Sequence, residues 1–156
     1  MTAVPAPELV TLDPAVTAAV RAVVPMAGLR DFYDGSFGAL AKTVAAQQVG
    51  IAGPAFGLYR GPIGDPIDVE VGFAVDAAVR PDGAVFAGEL PGGRVARLVH
   101  LGGFDGLGAS WARLVEWVES QGLTGGDLRW EVYVTEPSPD MDPNDLRTEL
   151  NWPIAD

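Results

Sequence analysis

The sequence contains no cysteine, a single lysine (Lys42) and a single histidine (His100). Without cysteine there are no disulfides, no thiol catalysis and no cysteine-based zinc sites. One histidine makes a poor metal centre by itself. Ten basic residues face 21 acidic ones, a formal net charge of −11. No cluster of basic charge offers the footprint that nucleic acid requires, and an acidic field favours cations instead. No apolar run approaches the roughly 20 residues that span a bilayer. The N-terminus has no basic region followed by an apolar core. The expectation is a soluble cytoplasmic protein that contacts neither membrane nor nucleic acid directly. Phosphate loops are absent as well: Gly92-Gly93 is followed by neither a lysine nor a helix start. The Asp140–Asp145 cluster lacks calcium-loop spacing and reads as a solvated hairpin tip. No cofactor is implied by any of these residues.

What is present suits a folded core. The chain has 156 residues, 48% of them hydrophobic and 20% charged, which fits one globular domain over residues 1–156. Met1 to Pro7 reads as loose. Strands are expected over Glu8–Leu12, Ala15–Val24, Ala55–Arg60 and Ile67–Val75. In the second half they are expected over Ala84–Leu90, Arg94–Leu101, Arg129–Thr135 and Arg147–Ile154. Leu29, Tyr33, Phe37, Leu40 and Val44 recur at three and four, which predicts a helix over Leu29–Gln48. Leu107, Trp111, Leu114, Val115 and Val118 predict a second over Asp105–Gln121, with Asp105 as N-cap and Gly122 as its stop. Gly61–Pro66 and Pro137–Pro143 read as loops.

The two halves superpose in sequence. Phe37 and Trp111, Leu40 and Leu114, Val44 and Val118, Gln47 and Gln121, Phe56 and Trp130, and Tyr59 and Tyr133 are all 74 residues apart. Glu70 and Glu149, like Phe73 and Trp152, are 79 apart, and Arg21 and Arg97 are 76 apart. Length changes confined to loops are the mark of a duplication. The repeats run over about 15–75 and 92–154. The expected fold is α+β: two βαββ units about a pseudo-twofold axis, antiparallel sheets with one long helix each, and a ligand groove between the halves.

The segment Trp130–Glu136 concentrates the chemistry. Trp130, Val132 and Val134 fall on one strand face, Glu131, Tyr133 and Thr135 on the other. If the first face packs under the helix, as Phe56 and Leu58 would in the first repeat, the second lines the groove. That groove then holds Glu131, Tyr133 and Tyr59, with Gly57 leaving space opposite the carboxylate; Trp111 reads as core, with its ring edge as a pocket wall in the alternative. An acid among aromatic rings suits a lipophilic cation. Against this stands the ordinary reading of Glu131 as a solvated strand residue. Glu70 and Glu149 read as partners of Arg21 and Arg97, with a ligand role in the groove as the alternative. Phe73 and Trp152 read as helix-facing core.

Several segments in order carry a resemblance: Pro54–Tyr59, Asp68–Phe73, Leu90–Ala96, His100–Leu107, Trp130–Tyr133 and Thr148–Ile154. With them the chain resembles the GyrI-like small-molecule-binding domains, the effector-binding domains of BmrR/Rob-type multidrug-sensing regulators, whose duplicated βαββ fold is SOUL-like. Asn151 and Phe104 depart from the residues common in relatives. The resemblance implies that Glu131 is the buried acid that meets cationic lipophilic ligands. The family's regulators carry an N-terminal helix-turn-helix segment, and in departing from them, with only about fourteen residues before the first repeat, this chain is expected to be a stand-alone form without a direct transcriptional role. His100 reads as a strand-end residue, with a groove-facing role or haem ligation of the SOUL kind as alternatives.

Three functions remain. In the first, the chain binds lipophilic, cationic or planar molecules, with Glu131 as counter-charge and Tyr59 and Tyr133 stacking. In the second, it is a hydrolase of cyclopropane-bearing DNA-alkylating natural products, in which Glu131 activates water and Tyr59 or Tyr133 hydrogen-bonds the substrate's carbonyl as the ring opens. In the third, it is a protein-inhibitor module that binds a protein partner. An exposed edge strand would also support a homodimer.

Overall fold

The computed structural model describes residues 6–61, 64–135, 142 and 146–155. Residues 62–63 of the loop read over 61–66, the loop over 137–143 and the acidic cluster lie outside the described residues, apart from Asp142. The chain divides into two compact units, Asp13–Gly92 and Met1–Leu12 with Gly93–Asp156.

The first unit contains β2 (Ala15–Val24), α1 (Leu29–Gln47), β3 (Ile51–Arg60), β4 (Ile67–Val75) and β5 (Phe86–Leu90). Its strands follow the order β5-β2-β4-β3, with every pairing antiparallel. The second contains β1 (Glu8–Leu12), β6 (Gly93–Leu101), α2 (Leu107–Ser120), β7 (Thr124–Gly125), β8 (Leu128–Tyr133) and β9 (Arg147–Ala155). Its order is β1-β6-β9-β8, again antiparallel, with the short β7 on β9. The shared plan of strand, helix, strand, strand is the duplicated βαββ arrangement of an α+β fold. Each unit carries one further strand on the outer side of its first. That strand comes from the segment leading into the other repeat: β1 precedes β2 in the chain but pairs with β6, and β5 precedes β6 but pairs with β2.

Both helices end in the same way. In α2, Gly122 adopts φ +69° and donates to the Glu119 carbonyl at 3.0 Å, while Leu123 donates to the Val118 carbonyl at 3.1 Å. This pair of bonds is a Schellman stop, and Leu123 packs back on the core beside it. In α1, Val49 donates to the Val44 carbonyl at 3.0 Å, and the left-handed position is taken by Gln48 at φ 57°. Gln48 and Gly122 are again 74 residues apart, so the repeat extends into the caps. The start of α2 differs from expectation. Its N-cap is Gly106, without a side-chain cap bond, because Phe104–Gly106 forms a 3-10 turn before the helix that includes Asp105. Strand β3 begins at Ile51 rather than Ala55, with a register shift between those residues.

The faces of the sheets also differ from expectation. In the second unit, Ala96, Leu98, Leu150 and Ile154 form one core with Trp111, Leu114 and Val118 of α2. Glu131 lies opposite Leu150 in register and therefore shares the helix-facing side. In the first unit, Tyr59, Val69 and Val71 pack with Leu29, Phe32, Tyr33 and Phe37 near α1. The residues expected beneath the helices, Phe56, Leu58 and Trp130, are buried on the opposite faces, with Val132 half-buried. Alternation states which residues share a face. It does not state which face the helix covers when both carry large side chains. Phe73 does face its helix, with Phe37 stacked on it at 6.4 Å, and Trp152 packs against the α2 core.

Candidate functional site

Strand β8 places Arg129, Glu131 and Tyr133 at alternate positions, so all three side chains leave the same helix-facing side. Trp111 enters from the second turn of α2. Its indole N–H donates to Glu131 Oε2 at 2.7 Å, and the Tyr133 hydroxyl donates to Glu131 Oε1 at 3.1 Å. Glu131 is 6% exposed and Trp111 likewise 6%. A carboxylate taken out of water is costly unless hydrogen-bonded. Each oxygen here accepts from a donor, and bonds to an ionised acceptor are about twice as strong as neutral ones. Both donors are themselves neutral, so they orient the acid without adding a charge to it.

The outer wall is cationic. The Arg129 guanidinium lies 5.1 Å from the Trp111 ring centre and 5.2 Å from that of Trp152. Burial pulls the Arg129 pKa below the ordinary guanidinium value, although a guanidinium stays charged in proteins. Trp152 is fixed in turn. Its indole N–H donates to the Gly126 carbonyl at 3.0 Å, and a Cβ on Gly125 would overlap its ring. Thus Gly125, Trp152, Arg129 and Trp111 form a stack that ends with the indole N–H aimed at Glu131.

The remaining expected residues are distributed between the units. Tyr59 belongs to the first unit, 7% exposed, with its hydroxyl 2.6 Å from that of Tyr33. Gly57 is buried beside it on β3, opposite Val71. His100 belongs to the second unit, where Nδ1 lies 2.6 Å from Ser110 Oγ and Nε2 lies 2.8 Å from the Gly103 carbonyl oxygen. It ties the end of β6 to the start of α2. Among the described residues no group of three or more acidic, histidine or cysteine side chains is arranged to hold a metal.

The ion pairs on the opposite faces differ between the repeats. Arg97 pairs with Glu149 at 3.0 Å, as expected, and also donates to Asn151 Oδ1 at 2.9 Å. Glu70, however, pairs with Arg60 at 2.9 Å, while Arg21 pairs with Asp68 at 2.8 Å. Arg21 and Glu70 are cross-strand partners in register. Arg60 from β3 reaches the glutamate from the other side, which leaves Arg21 to the half-buried Asp68.

Three contributors were not anticipated: Arg129, Trp152 as a stacking partner and Tyr33. Arg129 was legible, because it alternates with Glu131 and Tyr133. The others required knowledge of which strands and turns pair.

Comparison with known proteins adds the following. A family model for the GyrI-like small molecule binding domain matches residues 5–155. The C-terminal domain of EcmrR is similar at 18% identity and TM-score 0.84, covering 97% of this chain and 98% of that one. In a complex of EcmrR with DNA, this chain spans 57% of the EcmrR chain, at 20% identity and TM-score 0.84. A hydrolase from Listeria innocua matches at 14% identity and TM-score 0.65, covering 96% of this chain and 91% of that one. The structure of SAV2435 bound to tetraphenylphosphonium matches at 11% identity and TM-score 0.61, covering 96% and 97%. No curated protein sequence matches the chain.

Proposed function

The chain belongs to the family of GyrI-like small-molecule-binding domains, and from that premise we propose that it binds lipophilic cationic or planar molecules at Glu131, in a sensing or sequestering role. The observation that carries this reading is a buried carboxylate held by an indole and a phenol. A delocalised cation arriving there meets a negative charge and two aromatic rings, the combination that compensates the loss of its hydration. The net charge of −11 adds a long-range attraction of the same sign. SAV2435, a relative in fold, has been solved with a lipophilic cation.

A second reading is favoured by the hydrolase from Listeria innocua and by the Tyr133 hydroxyl on Glu131. In it, Glu131 takes a proton from water, the resulting hydroxide adds to a cyclopropane carbon as the ring bond breaks, and a phenol protonates the departing carbon framework. One experiment separates the readings. The protein and its Glu131→Gln variant are incubated with lipophilic cations, planar dyes and cyclopropane-bearing alkylators and read by mass spectrometry. Ligand retained unchanged by the wild type and lost by the variant supports binding. Multiple-turnover hydration that the variant abolishes supports the hydrolase. Neither signal across the panel refutes both and turns attention to a protein partner.

A further inference from the structure

We propose that Thr148 is a ligand-contacting residue that makes the site prefer lipophilic cations bearing a hydrogen-bonding group a short distance from the charge. The inference rests on the Glu131 reading and deepens it. Thr148 lies between two strands, opposite Tyr133 of β8 on one side and His100 of β6 on the other. Leu150 and Trp152, two and four positions further along β9, pack with α2, so Thr148 shares their helix-facing side. It is 0% exposed, and its hydroxyl oxygen has no hydrogen-bond partner among the described residues.

The two polar side chains beside it are directed elsewhere. The Tyr133 hydroxyl bends back along its own strand to Glu131, and the His100 ring is occupied by Ser110 and the Gly103 carbonyl. A buried hydroxyl without a partner bears its full desolvation penalty, and a valine would fill the same volume without it. The missing partner is therefore an incoming group. Because a hydroxyl both donates and accepts, an alcohol, amide or carbonyl on the ligand satisfies it. Glu131 is the diagonal neighbour of Thr148, one strand across and two residues along, which sets the span from charge to polar group on the order of 5–8 Å.

The test uses two probes of equal size, [4-(hydroxymethyl)phenyl]triphenylphosphonium and (4-ethylphenyl)triphenylphosphonium. Their dissociation constants are measured against the wild type, Thr148→Val, Thr148→Ser and Glu131→Gln. The affinity ratio of the hydroxymethyl to the ethyl probe is expected to fall about 3- to 10-fold in Thr148→Val, the worth of one hydrogen bond, and to persist in Thr148→Ser. An unchanged ratio in Thr148→Val, while Glu131→Gln weakens both probes, overturns the role of Thr148 and leaves the Glu131 site standing. If Glu131→Gln weakens neither probe, the site itself is refuted. Thermal unfolding without ligand provides a second readout. Thr148→Val is expected to melt at or above the wild type, and a fall of several degrees would show that the hydroxyl serves the fold, overturning the proposal.

Discussion

Replacing Glu131 by glutamine removes a charge and almost nothing else. The indole of Trp111 can only donate, so the amide oxygen turns towards it, over the present 2.7 Å contact. The amide N–H₂ then faces the Tyr133 oxygen, which accepts as readily as it donates. Both bonds survive as neutral ones. Each loses about 1 kcal/mol on moving from charged to neutral, a combined loss of about 2 kcal/mol. Against this, relief of a buried carboxylate's desolvation returns a few kcal/mol, so the stability of the fold is expected to change by less than about 1 kcal/mol. Ligand binding behaves differently. A cation centred about 5 Å from the carboxylate gains roughly 3 kcal/mol at an effective dielectric constant of about 20. Part of that is consumed in desolvating the ligand, which leaves about 1.5–3 kcal/mol, or about 10- to 100-fold in affinity. Titration calorimetry with tetraphenylphosphonium and with neutral triphenylphosphine oxide reads this directly. The cation should weaken by that factor in Glu131→Gln while the neutral probe changes less than about twofold. Equal weakening of both probes would mean that the acid shapes the site rather than compensating charge, and the electrostatic reasoning would fail.

Other consequences can be checked separately. Arg129→Met keeps the packing between Trp111 and Trp152 but removes two cation–π contacts, so a loss of about 1–2 kcal/mol is expected in chemical unfolding, together with a changed near-ultraviolet circular dichroism signal from the two indoles; an unchanged spectrum would show that the stack does not hold Trp111. Gln48→Gly relieves a left-handed backbone at φ 57° and should stabilise by about 0.5–1 kcal/mol, raising the melting temperature by about 2 °C; a lower melting temperature would contradict the cap assignment. The Arg21 hydrogen bond holds Asp68 below its ordinary carboxylate value, so its contribution is present above the unfolded value of about 3.9 and is lost as pH falls through the folded pKa. The stability difference between the wild type and Asp68→Asn should therefore be small at neutral pH, since the pair is exposed, and should shrink further below about pH 4. A difference that grows on acidification would reverse the sign of this linkage.

Much of the fold was legible because its signals are local and are stated twice. Apolar residues at helical spacing locate α1 and α2, Pro14 and Pro25 close β1 and β2, and alternation marks β4. The 74-residue offset exposes the duplication and even pairs the two caps. Glu131, Tyr133 and Trp111 were also recognisable as candidates, since an acid and a phenol on one strand face are uncommon neighbours to a tryptophan-led helix. Three matters belonged to the tertiary structure alone. The first is which strand face the helix covers: Trp130 and Glu131 both alternate correctly, and the decision came from Leu150, Trp152, Ala96 and Leu98 on the adjoining strands, whose apolar side had to meet α2. The second is ion-pair choice, where Arg60 reaches Glu70 across β3 and β4 and displaces the expected Arg21. The third is the orphaned hydroxyl of Thr148, which depends on where Tyr133 and His100 send their own hydrogen bonds. Each of these is settled by competition among groups distant in sequence. Periodicity ranks residues along one strand, and only the pairing of strands decides between partners that lie across it.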